Sequence, residues 1–206
     1  MYKVFLSLVT ASVLAFATQP TPKMNCTLSQ EGAVSINWKA YKTPAKIGVG
    51  GIFDKVIYTP ASKEGHNFRQ ILVGSTVSID TKSVNSKNKG RDAKLVSFFF
   101  EQMTGDTLTA KIVDIHAKSK ETGKPKTGTL IAEITMNAIT KKIPMNYIFD
   151  QGTLKADGTI DLFDFSASKA LQAVNKACFE KHQGKTWNDV SIGFSTHIKA
   201  VCEPVK

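Results

Sequence analysis

The sequence is poor in cysteine, in acidic residues and in long apolar runs, and these shortages exclude several classes of protein. Three cysteines among 206 residues exclude a disulfide miniprotein. No apolar run reaches the about 20 residues of a membrane-spanning helix, which excludes a polytopic membrane protein. Hydrophobic residues make up 42% and charged residues 21%, a composition that is typical of folded chains. The 17 acidic against 27 basic residues leave a formal charge of +10, which alone does not exclude a nucleic-acid binder.

The N-terminus has the pattern of a secretory signal peptide. Lys3 precedes the apolar run Val4–Ala17, which is too short to span a bilayer and ends in the small-x-small site Ala15-Phe16-Ala17. We expect residues 1–17 to be removed on export, and an uncleaved membrane anchor is the alternative interpretation. Export would place the cysteines in a compartment that permits disulfides.

Most of the remaining chain alternates apolar and polar residues with the period of two that is typical of β-strands. Val190, Ile192 and Phe194, for example, share one face. The turn signal Asp157-Gly158 indicates a bulge or a hairpin within one of these strands, so the predicted number of strands is eight or nine. The strand-like segments cover residues 34–40, 47–58, 71–79, 108–118, 129–137, 142–150, 153–165 and 190–201.

Two segments have helical spacing instead. In Ser166–His182 the apolar residues recur every three to four positions, and Ser166 is a predicted N-cap. Asn88–Met103 has the same spacing, with Gly105 just beyond its end. Cys178 falls on the apolar face of the first segment, where a free thiol behaves as a small buried hydrophobe.

Eight antiparallel strands favour an all-β fold, an eight-stranded antiparallel barrel with one or two short helices in the connections, because closure removes exposed sheet edges. A sandwich of two sheets is the alternative. We assign residues 33–206 to the barrel and residues 18–32 to an N-terminal extension. The first and last strands of an even-numbered barrel meet antiparallel, which would bring Cys26 beside Cys202 and predicts a disulfide between them.

No motif in the sequence supports an enzymatic activity. Three fragments match elements of penicillin-recognising serine enzymes, but their chain order is wrong. These fragments are Ser166-Ala167-Ser168-Lys169, Ser83-Val84-Asn85 and Lys126-Thr127-Gly128. The four histidines are scattered and form no HExxH motif. We therefore expect no catalytic residues, no metal site and no cofactor.

The aromatic run Phe98-Phe99-Phe100 and the aromatics near residue 165 are either ordinary core or the wall of a ligand cavity. The stretch Ser78–Val84, followed by Gly90–Leu95 and the phenylalanines, resembles the signature of the YceI-like family of polyisoprenoid-binding periplasmic proteins. The likeness runs from about residue 33 to residue 200. The chain departs from the family where Ala138 stands in place of a frequent glycine.

The resemblance implies a lipocalin-like barrel whose elongated pocket binds a long isoprenoid, a quinone-like lipid or a related amphiphile in the periplasm. Arg91 would then hold a polar or phosphate head group, although an Arg91-Asp92 pair at a helix start equally reads as a structural staple. The candidate residues of an apolar tunnel are Trp38, Phe53, Phe99, Phe100, Met103, Met145, Phe163 and Phe165.

The predicted function is therefore a periplasmic carrier of a long-chain lipid. The alternative is a basic secreted module that binds anionic membrane surfaces or polymers without an internal ligand. Lysines concentrate around residues 82–94 and 118–126, where they form either a solvated surface or a cationic rim at the barrel mouth. The export signal argues against nucleic acid as a partner. The sequence is compatible with either a monomer or a homodimer.

Overall fold

The computed structural model describes residues 24–118 and 123–205, in which one antiparallel sheet curls around an apolar interior. The predicted signal peptide, residues 1–17, lies outside the described residues. The strands are β1 (Met24–Lys42), β2 (Ile47–Phe53), β3 (Val56–Thr59), β4 (Glu64–Gly65), β5 (Thr76–Asp80), β6 (Val84–Asn85), β7 (Thr107–Ala117), β8 (Lys126–Met136), β9 (Ile139–Asp150), β10 (Thr153–Asp161) and β11 (Thr186–Pro204). The α-helices are α1 (Phe68–Leu72), α2 (Lys89–Phe98), α3 (Ser168–Ala177) and α4 (Phe179–His182). None of these helices is long and apolar enough to cross a membrane.

The strand order is β3-β5-β7-β8-β9-β10-β11-β1-β2-β6, with β4 paired to β1. The all-β antiparallel prediction is confirmed, but the predicted count of eight is not, because the described residues contribute eleven hydrogen-bonded strands to this sheet. All of them belong to one sheet, so the two-sheet sandwich does not describe the fold. Only Asp54 and Lys55 separate β2, which pairs with β1, from β3, which pairs with β5. In the strand order β3 lies at one end and β2 lies next to the other end. The short connection through Asp54 and Lys55 therefore joins the two ends of the curled sheet.

The longest strand pair joins β1 to β11, from Met24 opposite Pro204 to Lys42 opposite Thr186. Its outer part includes residues 24–31, which fall within the segment assigned above to an N-terminal extension. Cys26 lies directly opposite Cys202 in this register, and the two form a disulfide. The disulfide thus ties the first strand to the last.

The strand predicted over residues 71–79 begins too early. Ile71 is fully buried in helix α1, which begins after Asn67, whose side-chain oxygen accepts a hydrogen bond from the Gln70 N–H at 3.0 Å. Gly74, at φ 103°, then turns the chain into β5. A cap and a glycine turn therefore override the apparent alternation, which continues only from Thr76.

Strand β10 also differs from its prediction. It passes through Asp157-Gly158 without a bulge or a hairpin, because both residues keep regular partners on β11. It ends at Asp161, whose carboxylate accepts the Phe163 N–H at 2.9 Å and begins a 3₁₀ turn. The predicted strand end at residue 165 is wrong for this reason.

Both predicted helices are present: the first begins as predicted but ends at Phe98, and the second begins two residues late. Asn88 caps α2, because its side-chain oxygen accepts the Arg91 N–H at 2.9 Å. Ser166 is not an N-cap; it adopts the left-handed conformation at φ 52° and closes the preceding 3₁₀ turn through its N–H to the Phe163 carbonyl. Helix α3 begins only at Ser168.

Candidate functional site

A cavity of about 260 Å³ lies inside the curled sheet, between the inward faces of the strands and helices α2 and α3. Its wall is predominantly apolar and includes Leu130, Ala132, Met145, Ile160 and Phe194. Alternation along the strands places these side chains inside, since every second residue of a strand points to the same face. The volume lies just below the range that is typical of ligand pockets, about 300–1,000 Å³, and suits one slender chain.

Five of the eight predicted tunnel residues lie on this cavity wall. They are Trp38, Phe53, Phe99, Phe100 and Met145. Phe100 packs edge-on against both Phe53 and Phe99, with ring centroids 6.0 and 5.2 Å apart. Such edge-to-face contacts stabilise aromatic clusters beyond the burial of their area.

The other three predicted residues lie off the wall. Phe163 is 54% exposed, because the 3₁₀ turn that begins at Asp161 directs it outward. Phe165, two residues later, is fully buried in the core. Met103 is half-buried and packs against the core clusters.

Strand β8 provides wall residues that the aromatic criterion missed: Leu130, Ala132, Ile134 and Met136. They are aliphatic or small, so nothing in their chemistry distinguishes them from ordinary core. Their alternation along residues 129–137 was nevertheless a usable signal, because it placed them together on one face of a strand.

Arg91 lies on the wall, but its guanidinium is engaged in a structural contact. Its Nε donates to the Ser86 hydroxyl at 2.7 Å and its Nη2 donates to the Ser86 carbonyl at 2.8 Å. Asp92 Oδ1 accepts the Ser86 N–H at 2.9 Å and also accepts the Ser86 hydroxyl. Arg91 and Asp92 together thus tie the start of α2 to the segment after β6, as the staple interpretation predicts.

Asp92→Ala should lower the free energy of unfolding by about 1.5–3 kcal/mol, the usual range for hydrogen bonds to a charged group. The substitution leaves the N–H of the buried Ser86 without its acceptor. Denaturant titration measures the change, and Asp164→Ala, at an exposed carboxylate, is the matched control with an expected change within about 0.5 kcal/mol. Equal effects of the two substitutions would contradict a stabilising role for the Asp92–Ser86 contact.

The polar residues of the cavity wall include Lys42 of β1, Lys94 of α2 and His182 of α4. The Thr186 hydroxyl donates to Asn175 Oδ1 at 2.8 Å, so it accepts the N–H of His182 Nδ1 at 2.7 Å. Burial lowers the pKa of His182, and the positive charges of Lys42 and Lys94 lower it further. His182 is therefore neutral at neutral pH and carries its proton on Nδ1.

Comparison with known proteins identifies the family. A model of the YceI-like domain matches residues 15–198. The chain belongs to the YceI-like domain family. The similar solved structures include a polyisoprenoid binding domain from Saccharophagus degradans implicated in plant cell wall breakdown. The two sequences are 13% identical, and the alignment covers 87% of this chain and 100% of that chain with a TM-score of 0.56. Another is BcnA of Burkholderia cenocepacia, which is 14% identical, with 81% of this chain and 96% of that chain covered and a TM-score of 0.54. A search of curated proteins found no match.

The YceI-like signature has a structural meaning in this chain. Asp80 ends β5 and caps the following 3₁₀ turn by accepting the Lys82 N–H at 2.9 Å. Arg91 and Asp92 anchor the start of α2, and Phe99 and Phe100 after its end reach the cavity. The signature therefore positions one part of the cavity wall. Within the described ranges, no group of three or more His, Cys, Asp or Glu side chains is arranged to hold a metal ion.

Proposed function

We propose that this YceI-like protein is a periplasmic binding or carrier protein for a long-chain isoprenoid or a related amphiphilic lipid. The observation that supports it most strongly is the apolar cavity inside the sheet. Each CH₂ group moved from water into such a cavity contributes about 0.8 kcal/mol. The loss of freedom of the chain on ordering offsets part of that gain.

Two further observations support the ligand class and the compartment. The Saccharophagus degradans neighbour, which shares this fold, is a polyisoprenoid binding domain. The Cys26–Cys202 disulfide suits an oxidising compartment such as the periplasm, as does the predicted signal peptide. Binding inside the sheet requires no chemical step, so we propose no enzymatic activity and no cofactor.

Protein recovered from the periplasm of the native host should carry a lipid. Native mass spectrometry is expected to show a bound mass that organic extraction removes, and the extracted protein should take up an added prenyl lipid. Its N-terminus should lie near Thr18. The absence of both bound mass and uptake would contradict the proposal, and binding only to anionic vesicles would favour the basic surface module instead.

A further inference from the structure

The cationic residues at one end of the cavity have no acidic partner on its wall. Lys42, Lys94 and His182 all line the cavity and are half-buried, whereas no Asp or Glu does so among the described residues. The Lys94 ammonium donates to the Ala177 carbonyl at 3.1 Å. Within residues 24–118 and 123–205, the Lys42 ammonium forms no hydrogen bond or ion pair. Two ammonium groups thus share a partly desolvated site without a counter-charge.

The carboxylates near Lys94 and His182 in sequence are engaged elsewhere or exposed. Asp92 accepts hydrogen bonds from Ser86, and Asp189 forms an ion pair with Lys46 at 2.8 Å. Glu180, on the same helix as His182, is exposed. The positive potential at this end of the cavity is therefore not neutralised by a wall carboxylate.

Holding unpaired charges away from water is costly, and the cost falls when an opposite charge arrives. The imidazole of His182 senses the same potential, since the positive charges of Lys42 and Lys94 add to burial in lowering its pKa. Arg91 is less suited to a ligand than the sequence suggested, because two of its guanidinium nitrogens already donate to Ser86.

We propose that the head group of the bound lipid is an acid, a carboxylate or a phosphate, held by Lys42, Lys94 and His182. The inference rests on the proposed lipid binding and specifies the chemical class of the ligand and its orientation. The tail then extends along the apolar wall formed by Leu130 and Met145. Because Nδ1–H of His182 donates to Thr186, Nε2 is the ring atom that gains a proton when the anion binds.

Three probes with one tail and different head groups test this inference: farnesol, farnesoic acid and farnesyl phosphate. Trp38 and Trp187 line the cavity, so tryptophan fluorescence reports binding to the intact protein. We expect one or both acidic probes to bind at least about tenfold more tightly than farnesol at low salt, with the difference falling as salt is added. Equal binding of all three would overturn the head-group inference alone. Failure of all three to bind would count against the proposed function itself.

Lysine variants separate the head-group contact from the apolar contact. Lys42→Met together with Lys94→Met should remove the preference for the acidic probes over farnesol, since methionine keeps an apolar stem but carries no charge. Lys42→Met alone serves as the second variant, because it leaves the Lys94–Ala177 contact in place. Lys111→Met and Lys155→Met, at exposed strand positions, are the matched controls. An unchanged preference in the double variant would overturn the inference.

Titration of His182 by NMR separates a head-group contact from a merely structural cluster, because only a head-group contact makes the His182 pKa depend on the charge of the ligand. The pKa of His182 should rise when farnesoic acid is bound, because a nearby anion favours the charged imidazole, and should not rise with farnesol. The same pKa in both complexes would contradict contact between the acid and His182.

Discussion

Ala132→Trp should abolish lipid binding while leaving the protein folded. Ala132 lies on β8, is 5% exposed and contributes to the cavity wall. An indole built there occupies the space that the lipid tail would take. Overpacking of a filled core costs about 1–3 kcal/mol, but here the cavity itself receives part of the added volume. We expect an affinity loss of at least about a hundredfold, equivalent to about 2.7 kcal/mol.

The comparison variant for this experiment is Ala200→Trp, at an exposed position of β11. It adds the same side chain at an exposed position that is not part of the cavity wall, and it should bind lipid as the unaltered protein does. Lipid uptake followed by native mass spectrometry measures both variants, and thermal unfolding shows whether each is folded. A folded Ala132→Trp protein with full uptake would show that the lipid does not bind in this cavity.

Replacing Cys26 and Cys202 by serine should produce the largest loss of stability. The disulfide closes a loop across 176 positions of the chain. The chain-entropy model assigns about 5 kcal/mol to a loop of that length, and the loss of a native disulfide typically costs 2–5 kcal/mol. For a protein of this size the unfolding midpoint should fall by about 4–20 °C.

Cys178→Ser is the matched control, since Cys178 is the free cysteine among the described residues. It is half-buried at the end of α3, so its effect should be small, and reduction of the unaltered protein should reproduce the double variant. A midpoint that moves by less than about 2 °C on reduction would show that strand pairing between β1 and β11 alone holds the chain ends.

The elements that could be predicted from the sequence depend on short-range patterns. Alternation along residues 108–118, 129–137 and 142–150 located β7, β8 and β9 within a few residues. The same pattern failed at Ile71, because a helix of little more than one turn buries two neighbouring apolar residues, which a strand with one exposed face cannot do. It failed again beyond Asp161, where one capping carboxylate ends the strand.

The sequence by itself therefore determined the all-β class, the family and most strands, because alternation and signature residues act between close neighbours in the chain. Only the tertiary structure decided which side chains share the cavity. Phe163 and Phe165 differ by two positions, yet one is exposed and the other is buried. Lys42, Lys94 and His182 come from distant segments and meet only because β1 pairs with β11 and α2 packs against α3. Such proximity is set by long-range pairing, for which no local pattern carries a signal.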